Sequence, residues 1–176
     1  MQVAALLDST QLAMLERLLA VGKLVERASD RMLRAEADLT FVQYYLLIRL
    51  RNEGGEARMT QLAKYLVSTP SGVTYQVGRL EKRGLATRIA APGDDRGVLA
   101  RITPAGRELL LSLSKAQNDL IMEAVVEPLH PDEVVELHRL LGILQLNLRG
   151  EPVVEGVLPD QAPPPADDDP EVPAAG

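Results

Sequence analysis

The chain has no cysteine, which removes disulfides, thiolate metal sites and a thiol-based oxidation sensor from consideration. It has no tryptophan, one phenylalanine and four tyrosines, so its core rests on leucine and valine. The two histidines, His130 and His138, lie eight residues apart, where a helix would present a ligand pair at three or four; a zinc site is not expected, and surface or capping roles are. There is no glycine-rich phosphate loop, and the carboxylates fall on solvated helix faces, so neither an enzyme nor a cofactor is expected. Long hydrophobic runs are missing too: Met1 to Leu7 is apolar but short and uncharged, unlike a signal peptide or a membrane span, which predicts a cytoplasmic protein.

What the chain does contain is 46% apolar residues in periodic blocks, enough for an ordered globular domain. The net charge of −6 argues against a polyanionic partner only as an average. Beyond Gly150 there are seven acidic residues and no Lys or Arg, which leaves 19 basic against 18 acidic groups before that point. Between Thr40 and Thr103 ten basic residues face five acidic ones. The acidic segment 150–176 also holds seven of the twelve prolines, a composition that cannot bury enough apolar surface to offset its ordering entropy; it is read as a disordered Pro/Ala/Asp tail.

The apolar spacing of Leu12, Leu15, Leu18, Leu19, Val25, Ala28 and Met32 predicts a long helix capped by Ser9 or Thr10 and ending near Ala35. Thr40 and Gln43 form a capping box opening a second helix, with Phe41, Tyr45, Leu46 and Ile48 or Leu50 expected inside and Gly54-Gly55 as its stop. A two-turn helix starts near Thr60 and breaks at Val67-Ser68-Thr69. Thr69 followed by Pro70 starts the next, which runs to Arg83 and ends on Gly84, with Val73, Val77 and Leu80 buried. Thr87–Ala90 and Val98–Ile102 read as strands flanking a turn from Pro92 to Gly97. Thr103-Pro104 repeats the cap-then-proline signal before a long helix that breaks at Pro128, and a sixth helix starts near Pro131.

Two short helices, a turn and a hairpin are the parts of a winged helix-turn-helix, in which the second helix offers its N-terminal residues to the major groove. Ser71, Thr74, Tyr75, Gln76 and Arg79 lie there, on the side away from Val73 and Val77. Gln76 suits adenine, and the hydroxyls suit bases or phosphates. Arg96 at the hairpin tip is placed to enter a narrow minor groove, with Asp94 orienting it or bracing the wing, and Arg88 on the first wing strand joins this set. Gly72 and Gly78 are unusual inside a helix, costing about 1 kcal/mol each relative to alanine.

The runs Leu80-Glu81-Lys82-Arg83-Gly84-Leu85 and Asp94-Asp95-Arg96-Gly97, followed at fixed spacing by Ile102-Thr103-Pro104-Ala105-Gly106, resemble the multiple antibiotic resistance regulator (MarR) family. The resemblance covers residues 10–149, with Tyr75 standing where the family often has arginine. It implies a mainly α, six-helix winged helix-turn-helix with a two-stranded β wing. It divides the chain into an N-terminal dimerisation part (1–38), a DNA-binding domain (39–103), dimerisation helices (104–149) and the tail (150–176). Its first and last two helices would intertwine with a second copy, as the leucine stripes of residues 10–35, 104–127 and 131–149 need a partner surface. A two-fold dimer sets its recognition helices roughly 34 Å apart, on a palindromic operator. The function implied is a transcriptional repressor released from double-stranded DNA by a small phenolic or amphipathic effector, with no pocket assigned. Met32, Tyr44, Tyr45 and Arg49 lie on helices that would line such a crevice, but a core role is the first expectation for them. The alternative is a winged-helix protein-interaction module without specific DNA binding.

Overall fold

The computed structural model describes residues 6–150, apart from the side chains of Asp94, Asp95 and Arg96. Residues 1–5, and the acidic tail from residue 151 onward, lie outside the described residues. The chain divides into two units, 1–128 and 129–176.

In the first unit α1 (Ser9–Ala37) is capped by Asp8, whose carboxylate accepts the Gln11 N–H at 2.8 Å. The cap is therefore one residue before Ser9 and two before Thr10, because Asp8 finds Gln11 three positions on and completes a capping box. α2 (Phe41–Asn52) opens on the expected Thr40–Gln43 box. Its buried face differs from expectation: Leu46, Leu47 and Leu50 are fully enclosed with Tyr44 and Gln43, while Phe41, Tyr45 and Ile48 are only half-buried. α2 is covered by α1, α4 and α5 together, so burial follows several neighbours rather than one stripe.

A short strand, β1 (Glu56–Arg58), precedes α3 (Met59–Tyr65), which starts before Thr60 on Arg58 without a side-chain cap. α4 (Pro70–Lys82) has Thr69 as N-cap, Pro70 in its first turn and Val73, Val77 and Leu80 buried. The wing is the expected hairpin, β2 (Ala86–Ala91) and β3 (Asp94–Ile102), and β1 pairs on the far side of β3, so the sheet is three-stranded in the order β1-β3-β2. β1 is too short and too polar to signal in sequence; Arg101 on β3 holds Glu56 through an ion pair at 2.8 Å. The hairpin turn is Pro92-Gly93 alone, shorter than the Pro92–Gly97 turn expected, with Gly93 at φ +72°. The register slips after Ala90, which faces Val98, while Ala91 faces Asp94; Asp95, Arg96 and Gly97 thus form a bulge with no opposite residue on β2.

Thr103 caps α5 (Pro104–Ile121), which continues as a π-helical turn through Met122–Val126. Its hydroxyl donates to Gly84 O at 2.6 Å and accepts Gly106 N–H at 3.1 Å, tying the end of the recognition helix to the start of α5. Gly106 is required there: a Cβ would enter the van der Waals space of the Leu85 carbonyl oxygen. α1 packs on α5 through a buried bond from Gln117 Nε2 to Ser29 Oγ at 2.9 Å.

In the second unit α6 (Pro131–Arg149) is capped by His130, whose ring nitrogen accepts the Asp132 N–H, and Gly150 ends it with φ +69°. Among the described residues no helix is long and apolar enough to cross a membrane, and no cluster of His, Asp and Glu is arranged to hold a metal ion.

Candidate nucleic-acid interface

α4 presents Ser71, Thr74, Tyr75 and Arg79 on its exposed side, Tyr75 with 64% of its surface open, while Val73, Val77 and Leu80 anchor the opposite side. The cap fixes the first turn: Thr69 Oγ1 accepts the Gly72 N–H and lies 3.1 Å from Ser71 Oγ. A Cβ on Gly72 would come within 2.9 Å of Ser68 Oγ, so this glycine permits a close approach of the turn, whereas one on Gly78 would meet open space. Thr74 donates its hydroxyl to Pro70 O at 2.8 Å, which leaves its oxygen as an acceptor. Arg79 makes no hydrogen bond or ion pair among the described residues, and Lys82 is exposed one turn on. Gln76 is only half-exposed, and its amide oxygen accepts from Gln43 at 3.2 Å.

An open cleft of about 450 Å³ separates α4 from the wing, lined by Thr74, Arg88, Ile89, Ala90 and Val98 among others. Its walls are clamped together. Glu81 on α4 accepts from Arg88 Nη2 at 2.6 Å, Nε at 2.9 Å and the backbone N–H at 3.1 Å. Those bonds hold the Glu81 carboxyl below the usual carboxylate range, the side-chain bonds to Arg88 contributing most. Arg88 is therefore occupied as a brace in the free protein. The backbone of Asp94 and Arg96 sits at the wing tip; their side chains lie outside those described.

Supports of this kind were not singled out by sequence reasoning. Arg83 donates to Ala37 O and Asp38 O, both at 2.7 Å, and so caps the C-terminus of α1 from the end of the recognition helix. The Leu-Glu-Lys-Arg-Gly run contains both Glu81 and Arg83, which explains its shape: one arm reaches the wing, the other α1. Arg49 lies over the rings of Tyr45 and Tyr65 at 4.9 and 4.6 Å and bonds the Tyr45 hydroxyl, while Tyr65 donates to Glu53 at 2.7 Å. Tyr45 and Arg49 thus belong to an α2–α3 strut, and Tyr44 to the core, where burial pushes its hydroxyl pKa up.

A recognition helix standing free beside a braced hairpin, on a chain segment with excess positive charge, defines a winged helix-turn-helix DNA-binding protein. Residues 37–97 match the model of the MarR family. A MarR-family transcriptional regulator from Streptomyces coelicolor, solved in complex with DNA, superposes with a TM-score of 0.79 at 30% identity, covering 89% of this chain and 97% of that one. A mutant MarR from E. coli, complexed with operator DNA, superposes with a TM-score of 0.68 at 27% identity over 78% of this chain and 99% of its own. The multiple antibiotic resistance protein MarR of Salmonella typhimurium is 28% identical over 121 residues, 67% of this chain and 83% of its own length. The chain belongs to the MarR family of transcriptional regulators.

Proposed function

We propose that the protein is a homodimeric repressor that binds a palindromic operator and leaves it when a small phenolic or amphipathic effector binds. The observation that carries the DNA-reading part is the free polar face of α4 beside the braced wing. Ser71, Thr74, Tyr75, Gln76 and Arg79 read the major groove, and Arg96 enters the adjacent minor groove with Asp94 supporting the wing tip. Arg88 supports them by holding β2 against the recognition helix. Dimerisation is supported by Leu12, Leu15, Leu18 and Leu19 of α1, which remain 38–57% exposed in the single chain, and by Leu137, Leu141, Leu144 and Leu148 of α6, 38–83% exposed. Residues 1–38 and 104–149 serve the dimer, 39–103 the DNA, and the acidic tail aids solubility. Such a protein works where the chromosome is, in the cytoplasm. Effector release is the part of this reading that rests on the family resemblance alone, and no site is assigned to it.

The test is binding of the purified protein to the DNA upstream of its own gene and to random duplex across a salt series. Wild type is expected to prefer the upstream duplex, with affinity falling steeply as salt rises. Arg96→Ala and Arg79→Ala each weaken specific binding by about 1–3 kcal/mol. Equal affinity of wild type for both duplexes would sink the reading and leave a protein-docking winged helix in its place.

A further inference from the structure

Gln43 on α2, 5% exposed, joins two helices through opposite ends of its amide. Its Oε1 accepts the Thr40 backbone N–H at 3.1 Å, and its Nε2 donates to Gln76 Oε1 on the recognition helix at 3.2 Å. The orientation of both amides follows from the direction of donation. A backbone N–H can only donate, so the Gln43 atom facing Thr40 is oxygen. The other end of Gln43 is then an NH₂, which also only donates, so the Gln76 atom facing it is oxygen. The Gln76 carbonyl is thus turned toward Gln43, and its NH₂ is the end with no bond to the protein among the described residues. The α2 cap therefore dictates, through one buried side chain, which end of a recognition-helix amide is offered outward.

A glutamine free to use both ends pairs with adenine, accepting from N6 while donating to N7. With its carbonyl turned inward onto Gln43 Nε2, Gln76 presents the two N–H donors of its amide ahead of the one remaining carbonyl lone pair. Resting on the DNA-binding reading above, we propose that Gln76 selects an acceptor-rich major-groove edge, guanine O6/N7 or thymine O4, over adenine, and that Gln43 is the positioning residue that sets this choice. Gln43 touches no base; it acts by holding the Gln76 amide one way round. Replacing Gln43 by glutamate keeps an acceptor for Thr40 but removes the donor, so Gln76 turns over, donates to the carboxylate and offers its oxygen to the DNA. The preferred bases then become those with an exocyclic amine, adenine and cytosine.

The experiment is selection of bound sequences from randomised duplexes, at pH 8, by the full-length wild type and by Q76A, Q43E and Q43M, with thermal melting to confirm folding. The expected result is that Q76A flattens one position of the bound site by about fivefold, the worth of one hydrogen bond. At that position wild type prefers guanine or thymine, Q43E shifts to adenine or cytosine, and Q43M, which holds neither end, accepts both classes. A merely structural role for Gln43 would lower stability without exchanging one base class for the other. The proposal is overturned if wild type prefers adenine or cytosine at the Q76A-sensitive position, or if Q76A changes no position. It is overturned equally if Q43M, and Q43E where it folds, keep the wild-type preference. A wild type that selects no sequence at all overturns the DNA-binding reading together with this one, so the two failures are distinguishable.

Discussion

Val67, in the turn between α3 and α4, adopts φ +47° with 88% of its surface exposed. A β-branched side chain in the left-handed region crowds its own carbonyl, at a cost of about 1–2 kcal/mol. The turn holds it there because Ser68 N–H must reach Ala63 O, at 3.0 Å, to close the C-terminus of α3. Asparagine tolerates this conformation, so Val67→Asn is expected to stabilise the fold by about 1 kcal/mol, read as a rise of about 2–4 °C in Tm. The glycines divide by the same kind of argument. Gly106→Ala sets a methyl against the Leu85 carbonyl and is expected to cost more than about 2 kcal/mol in urea unfolding. Gly78→Ala meets nothing and is expected to stabilise α4 by about 1 kcal/mol. A loss of DNA affinity in that more stable variant would place the Gly78 backbone against the duplex. Sequence reasoning sees the helix cost of a glycine but not the space around it, so Gly72 and Gly78 look alike until the fold separates them.

At the scale of elements, the working unit is the recognition helix with its two braces. Glu81 fastens the wing through Arg88, and Arg83 fastens α1 through two carbonyls. The folded Glu81 carboxyl titrates below its unfolded value. The brace is therefore fully present above the ordinary carboxylate range and is lost as pH falls through the lowered folded value. Hydrogen exchange of the Arg88 amide and its β2 neighbours is expected to be insensitive to pH-induced opening near neutrality and to lose protection in acid. Glu81→Gln should show the acid-like loosening already at pH 7; unchanged protection in that variant would remove the brace from the account. The caps at Thr40, Thr69 and Thr103 were legible in sequence because capping is local chemistry between residues three apart. β1 was not, because a three-residue strand exists only by virtue of the distant β3.

For the whole molecule, the apolar stripe at the N-terminal end of α1 is only partly covered among the described residues, with Leu15 and Leu19 38% and 57% exposed. Contiguous exposed leucine at helical spacing marks an interaction surface. On the proposal of a homodimer that binds an operator, introducing Leu15→Asp and Leu19→Asp together is expected to give a monomer in light scattering where the wild type is a dimer, and to weaken operator binding at least tenfold, since each recognition helix then binds alone. A double variant that remains dimeric would move the interface elsewhere. Charge at this scale is equally uneven. Several of the basic side chains between Thr40 and Thr103 are engaged internally, Arg88 with Glu81, Arg101 with Glu56 and Arg49 between two tyrosines, which leaves Arg79 and Lys82 as the α4 cations open to a phosphate.

The order of helices, the hairpin and the exposed polar face of α4 were determined by sequence alone, since periodicity, capping and turn chemistry act over a few residues and need no partner. Only the tertiary structure decided which of those polar groups are free. Gln76 is one-sided because Gln43 comes to it from 33 residues away; Arg88 is a brace because Glu81, seven residues earlier, lies across the cleft; and Tyr45 and Arg49 form a strut because Tyr65 closes on them. A side chain's identity fixes what hydrogen bonds it can make, but the fold decides which of them are already made, and what remains is what the protein offers to DNA.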